Sequence, residues 1–194
     1  MHFRESTAYL TPAHIRANVD RIRHAVARPE DEFGNPLDPE VRIGALVSAE
    51  HFRKVHGYLE AAQRENVLYG GTVVADGVIE PTIVESRRDS ALVTEEIFGP
   101  IMSVIVVDSL DEAIAVANDT DYGLAASVFT ANGKRALRAA RALRAGTVTV
   151  NCFGEGDLST PFGGYKQSGF GGRDNSIHAH DQYTQLKTIW LDLS

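Results

Sequence analysis

The sequence predicts an α/β fold in which a mostly parallel sheet is flanked by helices. Between residues 101 and 150, three β-branched apolar runs alternate with two segments of helical periodicity. Strands that are separated by one helix are joined by right-handed crossovers and run parallel. The composition agrees, because 43% hydrophobic and 23% charged residues are ordinary values for a folded globular chain.

The first part of the chain predicts two helices on either side of an exposed connection. Thr11 and Pro12 form a helix start, and apolar residues at helical spacing continue to Val26. Residues 29–40 contain three prolines and five acids, so we expect them to contact solvent. A second helix begins near Ser48, and its apolar face consists of Phe52, Val55, Leu59 and Ala62.

The central strands are predicted from short β-branched runs. We expect strands at Val73–Val74, at Ile83–Val84 and, with nearly all residues apolar, at Met102–Val107. Ser109 to Glu112 form a capping box for a helix that ends near Asn118.

A second helix and two more strands complete the alternating pattern. We predict strands at Ser127–Thr130 and Thr147–Val150. Asn132 caps the helix between them, and Gly146 ends it as a glycine at position C′. The apolar face of this helix is predicted to hold Leu137, Ala140 and Leu143.

The chain changes character after Asn151. Residues 151–175 are rich in glycine and lack periodicity, which predicts a long irregular loop of the kind that binds ligands in α/β proteins. Gln185–Leu193 predicts an extended strand that carries the single tryptophan, Trp190. Such a strand needs a sheet edge in its own chain or in a neighbouring one.

Charge and cysteine content exclude several classes of protein. The net charge of −7 argues against a general nucleic-acid binder. The single cysteine, Cys152, excludes an internal disulfide framework and fits a reducing compartment. No apolar run approaches the length of a membrane helix, and no signal peptide is visible, so we expect a cytoplasmic protein without a membrane partner.

Two clusters are candidates for ligand binding. Glu95–Pro100 is either a turn with solvated acids or a corner where one carboxylate accepts hydrogen bonds from ribose hydroxyls and Phe98 offers a flat apolar surface. Pro161–Gly169 is a glycine-rich loop with one lysine, but it fits neither the P-loop pattern nor G-x-G-x-x-G. Phosphate binding is therefore not favoured there.

The two clusters belong to a larger set of motifs in fixed order. Together they closely resemble the C-terminal part of the catalytic domain of the aldehyde dehydrogenase superfamily. The resemblance covers roughly residues 30–194 and rests on Glu95–Pro100, Asn118–Phe129, Ala145–Phe153, Pro161–Gly169 and Tyr183–Ile189. Gly154–Asp157 with the following loop looks most like the branch that oxidises γ-glutamyl-γ-aminobutyraldehyde in putrescine degradation.

This resemblance implies a function, a cofactor and a set of site residues. The function is oxidation of an aldehyde, by this branch an aminoaldehyde, to the acid with NAD or NADP. Glu96 would hold the nicotinamide ribose hydroxyls, and Phe98 would pack beside that ribose. The loop from Cys152 to Phe162 would line the aldehyde tunnel, with substrate contacts from Cys152, Phe153, Glu155, Asp157 and Phe162.

The resemblance also implies what this stretch of sequence lacks. The nucleotide domain, the glutamate base and the nucleophilic cysteine of the family lie upstream of the region that matches, so we expect no catalytic residue among these 194. Residues 1–29 are predicted to be a divergent helical segment, residues 30–182 a partial catalytic domain and residues 183–194 a strand that joins a partner subunit. The chain then supplies half of an active site, with a homo-oligomer or a missing N-terminal half as its partner. Alternatively, the chain is an inactive interaction module.

The remaining candidates have simpler explanations. Cys152 is interpreted as a packing thiol, and a hydrolase built on Cys152 and His178 stays a minor alternative. His178 and His180 would share one face of a strand, but two ligands without a third do not predict a metal site. Glu155 and Asp157 are an acid–base pair, a negative rim for an amino-bearing aldehyde, or solvated acids. The five basic residues of 134–144 predict a solvated or subunit-facing helix surface.

Overall fold

The computed structural model describes residues 7–10, 33–35, 37–39, 41, 43–154 and 156–194. The chain divides into two compact units, residues 1–113 and 114–194. The predicted helix from Thr11 to Val26 and half of the 29–40 connection lie outside the described residues. The domain bounds expected at residues 30 and 183 stay predictions.

The first unit contains a mixed sheet of four strands. Its order is β1 (Thr7–Leu10), β6 (Ile101–Val106), β5 (Thr82–Glu85) and β2 (Asn66–Tyr69). β6 runs parallel to both of its neighbours, whereas β2 pairs antiparallel with β5. A separate antiparallel hairpin consists of β3 (Val73–Ala75) and β4 (Val78–Ile79). The strands predicted around residues 73, 83 and 102 are confirmed.

Helix α1 (Ala49–Ala62) supplies much of the core of the first unit. It begins where predicted, because the Ser48 hydroxyl accepts a hydrogen bond from the His51 amide at 3.1 Å. Its apolar stripe at helical spacing is buried, and Phe52 packs against it partly covered. The buried cluster consists of Val55, Leu59, Ala62, Ile79, Val84, Leu92, Ile97 and Ile101.

Two further helices follow in this unit. The short α2 (Ala91–Thr94) leads into β6, and α3 (Leu110–Asn118) continues into the second unit. Ser109 caps α3 as predicted, accepting from the Glu112 amide at 3.1 Å. The Glu112 carboxylate accepts from the Asp108 amide at 2.8 Å, one residue further out than in a standard capping box. This bond, with help from Arg88, lowers the pKa of Glu112.

The second unit contains a parallel pair, β7 (Ala125–Val128) and β8 (Thr147–Val150), joined through α4 (Gly133–Ala142). β7 lies two residues earlier than predicted. Asn132 caps α4 as expected, accepting from the Arg135 amide at 3.1 Å. Since β6 belongs to the first sheet and β2 is antiparallel, the expectation of a mostly parallel sheet is met only in part.

Two details predicted for α4 are wrong. Its buried residues are Ala136 and Ala139, while Leu137 is 59% exposed. The apolar face is therefore rotated by one residue, because small alanines allow the closer approach of helix and strands. Gly146 does not end the helix, which stops at Ala142.

The last part of the chain is largely irregular. Residues 151–175 form the expected long loop, with one bridge between Phe162 and Asp174 and a 3₁₀ turn at Lys166–Ser168. A second 3₁₀ helix covers Ile177–Gln182. The strand predicted at 185–193 is not formed in the single chain, because no described strand provides its hydrogen-bonding partner. None of the described helices is long and apolar enough to cross a membrane.

Candidate functional site

Residues 95–99, here called the acidic loop, connect α2 to β6 in the first unit. Its two adjacent carboxylates have different surroundings. Glu95 accepts a hydrogen bond from the Tyr58 hydroxyl at 2.8 Å. Glu96 is exposed, and its carboxylate makes no hydrogen bond or ion pair with the described residues. Of the two acids, Glu96 is the one whose oxygens are available to hydroxyl groups from outside.

Helix α1 holds the backbone of the acidic loop at two carbonyls. The Lys54 ammonium donates to the Glu96 carbonyl oxygen at 2.7 Å, and the His51 ring, as the Nε2–H tautomer, donates to that of Phe98 at 2.7 Å. The Lys54 nitrogen also lies 5.6 Å from the centre of the Phe98 ring, within the range of a cation–π contact. The Phe98 backbone is left-handed, with φ of 54°, and its side chain is 60% exposed.

Gly99 lets the acidic loop lie directly on α1. A Cβ atom at residue 99 would stand 2.4 Å from Cγ1 and 2.9 Å from Cγ2 of Val55, which is fully buried. His51, Lys54, Val55 and Tyr58 follow one another at spacings of three, one and three residues, so they occupy one face of the helix. One helix face thus contacts the loop from Glu95 to Gly99.

Residues 151–162, here called the 151–162 loop, start from a hydrogen-bonded corner in the second unit. Asn151 has φ of 55°, and its amide accepts from the Thr130 N–H at 2.8 Å and donates to the Thr130 carbonyl at 3.0 Å. The Thr149 hydroxyl donates to the carbonyl of Cys152 at 2.9 Å. The ends of β7 and β8 are therefore bound together where the loop leaves the sheet.

Asp157 organises a tight turn within the 151–162 loop. Its Oδ1 atom accepts from the Ser159 amide at 2.7 Å and from the Ser159 hydroxyl at 2.5 Å. The hydroxyl bond first, and then the bonds from backbone amides of Ser159 and Thr160, lower the pKa of Asp157. The carboxylate is exposed and stays ionised at neutral pH.

The other predicted substrate contacts differ in exposure. Cys152 and Phe153 are exposed, the latter at 64%. Phe162 is partly buried, because its amide and carbonyl pair with Asp174 at 2.8 and 2.7 Å. Glu155 lies outside the described residues.

Comparison with known proteins assigns the chain to a family. The profile of the "Aldehyde dehydrogenase family" matches residues 13–189, most of the chain. The chain belongs to this family. The match begins within the segment expected to be divergent, before residue 30.

Individual relatives of this aldehyde dehydrogenase chain share its sequence closely. It is 60% identical over 168 residues to aminoacetaldehyde dehydrogenase of Pseudomonas aeruginosa, covering 85% of this chain and 34% of that protein. It is 43% identical over 163 residues to the Escherichia coli NADP/NAD-dependent aldehyde dehydrogenase PuuC, covering 82% of this chain and 33% of that protein. The chain thus spans about a third of the length of these curated relatives.

Solved structures share the fold. The P. syringae indole-3-acetaldehyde dehydrogenase AldA, a mutant in complex with NAD⁺ and IAA, superposes with a TM-score of 0.89 at 42% identity, covering 97% of this chain and 39% of that one. The γ-glutamyl-γ-aminobutyraldehyde dehydrogenase from Burkholderia cenocepacia gives 0.87 at 46% identity, covering 94% and 38%. The resemblance inferred from the sequence motifs is confirmed.

In this family member, one surface groove is lined partly by residues of the 151–162 loop, but not by the predicted substrate contacts of that loop. It has a volume of about 620 Å³ and is lined by Leu158, Ser159, Pro161, Ser176, Ile177, His178 and His180. The strand geometry expected for the two histidines is wrong, since both lie on the 3₁₀ helix 177–182. Among the described residues, no cluster of three or more His, Cys, Asp or Glu side chains is suited to a metal.

The glycine-rich loop 161–169 has a packing function. The Lys166 ammonium donates to the carbonyl oxygens of Asn118 and Thr120, at 2.8 and 2.7 Å, and so caps the end of α3. A Cβ atom at Gly146 would stand 1.6 Å from the Gly163 carbonyl oxygen, so this contact requires glycine. Lys166 and Gly163 of this loop thus contact backbone atoms of the same unit.

The α1 residues that hold the acidic loop were not predicted from the sequence. His51, Lys54 and Tyr58 lie about forty residues before their partners, so no local pattern links them to Glu95–Phe98. The only signal was their position beside the apolar stripe of an amphipathic helix, where polar side chains border the core.

Proposed function

We propose that this chain takes part in the oxidation of an amino-bearing aldehyde to its carboxylic acid, with NAD or NADP as hydride acceptor. Membership of the aldehyde dehydrogenase family supports the reaction class. The names of two similar proteins, aminoacetaldehyde dehydrogenase and γ-glutamyl-γ-aminobutyraldehyde dehydrogenase, support the aminoaldehyde class. The cofactor supplies the hydride acceptor when it is bound, and the residues of this chain bind and orient.

The observation that carries the proposal is the exposed carboxylate of Glu96, which has no partner among the described residues and lies two positions before the exposed ring of Phe98. A carboxylate accepts both hydroxyls of a ribose, and an aromatic ring covers the apolar side of a sugar or nicotinamide. Because Ile97 between them is buried, Glu96 and Phe98 present their side chains on the same exposed side of the loop. The residues therefore fit a cofactor ribose, and Glu96 is assigned as its acceptor.

NAD⁺ titration of the 194-residue chain, followed by NMR, tests this assignment. Glu96→Gln is expected to weaken NAD⁺ binding roughly tenfold, because a ribose hydroxyl donates a stronger hydrogen bond to an ionised carboxylate than to a neutral amide oxygen. Glu95→Gln is the matched control, since its amide oxygen still accepts the Tyr58 hydroxyl. Equal losses from both substitutions, or none from Glu96→Gln, would contradict the assignment.

We propose that the 151–162 loop forms the wall of the aldehyde site through Cys152, Phe153, Glu155, Asp157 and Phe162. Asp157 supports an amino-bearing substrate, because its exposed carboxylate is held ionised by Ser159. An ammonium group at the far end of the aldehyde gains from such an anion, whereas a hydroxyl gains less. The test measures the affinities for butylamine and butanol in the unsubstituted chain and in Asp157→Asn. Asp121→Asn is the control, because it removes the same charge elsewhere. Loss of the amine preference only in Asp157→Asn supports the assignment, and an unchanged preference refutes it.

A second candidate function is assembly with other subunits through residues 183–194. This segment is exposed throughout and carries Leu186 at 106%, Trp190 at 91% and Leu193 at 87% exposure. A row of uncovered apolar side chains on an extended segment favours pairing with a sheet edge. Light scattering on the chain with and without residues 183–194 tests this. A monomer in both cases would count against assembly.

A further inference from the structure

We propose that Gln182 is a positioning residue, which fixes Phe162 at the end of the 151–162 loop. Gln182 is the last residue of the 3₁₀ helix Ile177–Gln182 in the second unit. It is assigned no contact with a substrate or a cofactor and acts through the chain segment that pairs with Phe162. The effect on an aldehyde rests on the proposed function, in which Phe162 belongs to the wall of the aldehyde site.

The side-chain amide of Gln182 binds the two residues that precede the turn into its own helix. Its Nε2 atom donates to the carbonyl oxygen of Arg173 at 2.6 Å and to Oδ1 of Asp174 at 3.0 Å. Asp174 in turn pairs with Phe162 through two backbone hydrogen bonds of 2.8 and 2.7 Å. One side chain therefore holds the residue on which the backbone of Phe162 is fixed.

The turn between Asp174 and the 3₁₀ helix requires such support. Asn175 and Ser176 are both left-handed, with φ of 60° and 56°. This conformation is unfavourable for residues with a Cβ atom, and it persists where the surrounding structure fixes it on several sides. The Ser176 amide donates to the Leu158 carbonyl at 2.8 Å, which binds one side of the turn to the 151–162 loop. Gln182 binds the other side, at Asp174.

Glycines allow the segment 172–174 to lie close to both of its neighbours. A Cβ atom at Gly163 would stand 2.8 Å from the carbonyl oxygen of Gly172 and 3.0 Å from Cδ of Arg173. A Cβ atom at Gly172 would stand 2.8 Å from Cδ of Gln182. The segment is thus packed against Gly163 and against the Gln182 side chain, with no room for a further carbon atom at either glycine.

These contacts connect Gln182 to Phe162 through a single residue. Without the Gln182 amide, Asp174 loses its side-chain donor and the left-handed turn loses one of its supports. Because the backbone of Phe162 is paired with Asp174, a displaced Asp174 moves Phe162 with it. The partly buried Phe162 side chain then samples more directions. A substrate that contacts this ring would have to order it on binding.

Three substitutions and one control test the proposal in the 194-residue chain. Gln182→Met removes the donor at similar side-chain size, and Gln182→Lys keeps N–H donors. Gly172→Ala leaves the glutamine in place but displaces its side chain, and the backbone of Gly172 is not left-handed, so alanine can adopt it. Gln167→Met is the matched control, because this exposed glutamine of the same unit makes no side-chain hydrogen bond with the described residues.

Hydrogen exchange at the amides of Phe162 and Asp174 measures local order, and butylamine titration measures binding. In Gln182→Met and Gly172→Ala, both amides are expected to exchange roughly fivefold to tenfold faster, the effect of losing one hydrogen bond. Butylamine affinity is expected to fall roughly threefold to tenfold in the same variants, because binding must then immobilise the Phe162 side chain. Gln182→Lys is expected to retain the exchange rates and the affinity of the unsubstituted chain, and Gln167→Met to change neither.

The two readouts separate this proposal from the proposed function. Unchanged exchange in Gln182→Met, or equal acceleration in Gln167→Met, overturns the positioning role whatever butylamine does. Fast exchange in Gln182→Lys also overturns it, because the N–H donor would then not be what fixes the segment. Faster exchange in Gln182→Met with rescue by Gln182→Lys, but with unchanged or absent butylamine binding, supports the positioning role and refutes a substrate contact by Phe162.

Discussion

Replacement of Gly99 by alanine tests the contact between the acidic loop and α1. The added Cβ would stand 2.4 Å from one methyl of Val55 and 2.9 Å from the other, both below normal van der Waals distance. Val55 is fully buried in the core cluster, so it cannot turn away without displacing its neighbours. We therefore expect Gly99→Ala to destabilise the first unit and to displace the loop.

The magnitude follows from the packing. Overfilling a packed core by one methyl group costs about 1–3 kcal/mol. Val55→Ala alone removes two buried methyl groups, which costs about 2–3 kcal/mol including the cavity that remains. The double variant Val55→Ala/Gly99→Ala places the new methyl where the lost ones had been. We expect it to be more stable than the sum of the single effects by about 1–2 kcal/mol.

Urea unfolding followed by circular dichroism gives these free energies. The control is Gly57→Ala, the same substitution within α1, where a new Cβ has no atom within 4 Å. It is expected to stabilise the helix by about 0.5–1 kcal/mol, because alanine loses less backbone freedom. The steric argument would be refuted if Gly99→Ala had the same free energy of unfolding as the unsubstituted chain. It would also be refuted if the effects of the two single substitutions simply added in the double variant.

Three further predictions concern the second unit. Lys166→Met is expected to cost about 2 kcal/mol in urea unfolding, because two carbonyls lose their charged donor; a neutral result would contradict the capping role. Ser159→Ala is expected to raise the pKa of Asp157 in a carboxyl NMR titration. The lowered pKa of Asp157 stabilises the folded chain when the pH is above the ordinary pKa of aspartate, and this stabilisation is lost as the pH falls through the pKa of Asp157 in the folded chain. Ser159→Ala is therefore expected to reduce the free energy of unfolding only above the folded-state pKa. Cys152, whose sulfur contacts no basic group among the described residues, is expected to form no acyl adduct with aldehyde and NAD⁺; an adduct seen by mass spectrometry would overturn this.

Local signals in the sequence predicted most described elements. Ser48, Ser109 and Asn132 cap helices where expected, because a cap depends on residues within three positions. The face of α4 was wrong by one residue, since Leu137 and the alanines allow two similar apolar stripes and tertiary packing selects one. The strand at 185–193 failed for a different reason: strand formation depends on a partner, which no property of the segment itself supplies.

The candidate site shows the same division between local and distant information. The motif identified the acidic loop and the 151–162 loop, but it did not distinguish the surroundings of Glu95 and Glu96. That distinction comes from Tyr58, which lies 37 residues before Glu95 and donates a hydrogen bond to its carboxylate. Likewise, the pattern of the glycine-rich loop spoke against phosphate binding but did not indicate the partners of Lys166, which are carbonyls 46 and 48 residues earlier.

The acidic loop explains why two acids stand side by side in this chain. A single acid in an exposed turn would have to serve both as an anchor for the loop and as an acceptor for a ligand, and one carboxylate cannot hold a fixed partner and remain fully open. With two, Glu95 binds Tyr58 and fixes the start of the loop, while the Glu96 carboxylate has no partner among the described residues. The same separation applies to Lys54, which binds the Glu96 backbone carbonyl and, among the described residues, makes no ion pair with the Glu96 carboxylate. If the two functions are separate, Glu95→Gln keeps its NAD⁺ affinity and Glu96→Gln loses it.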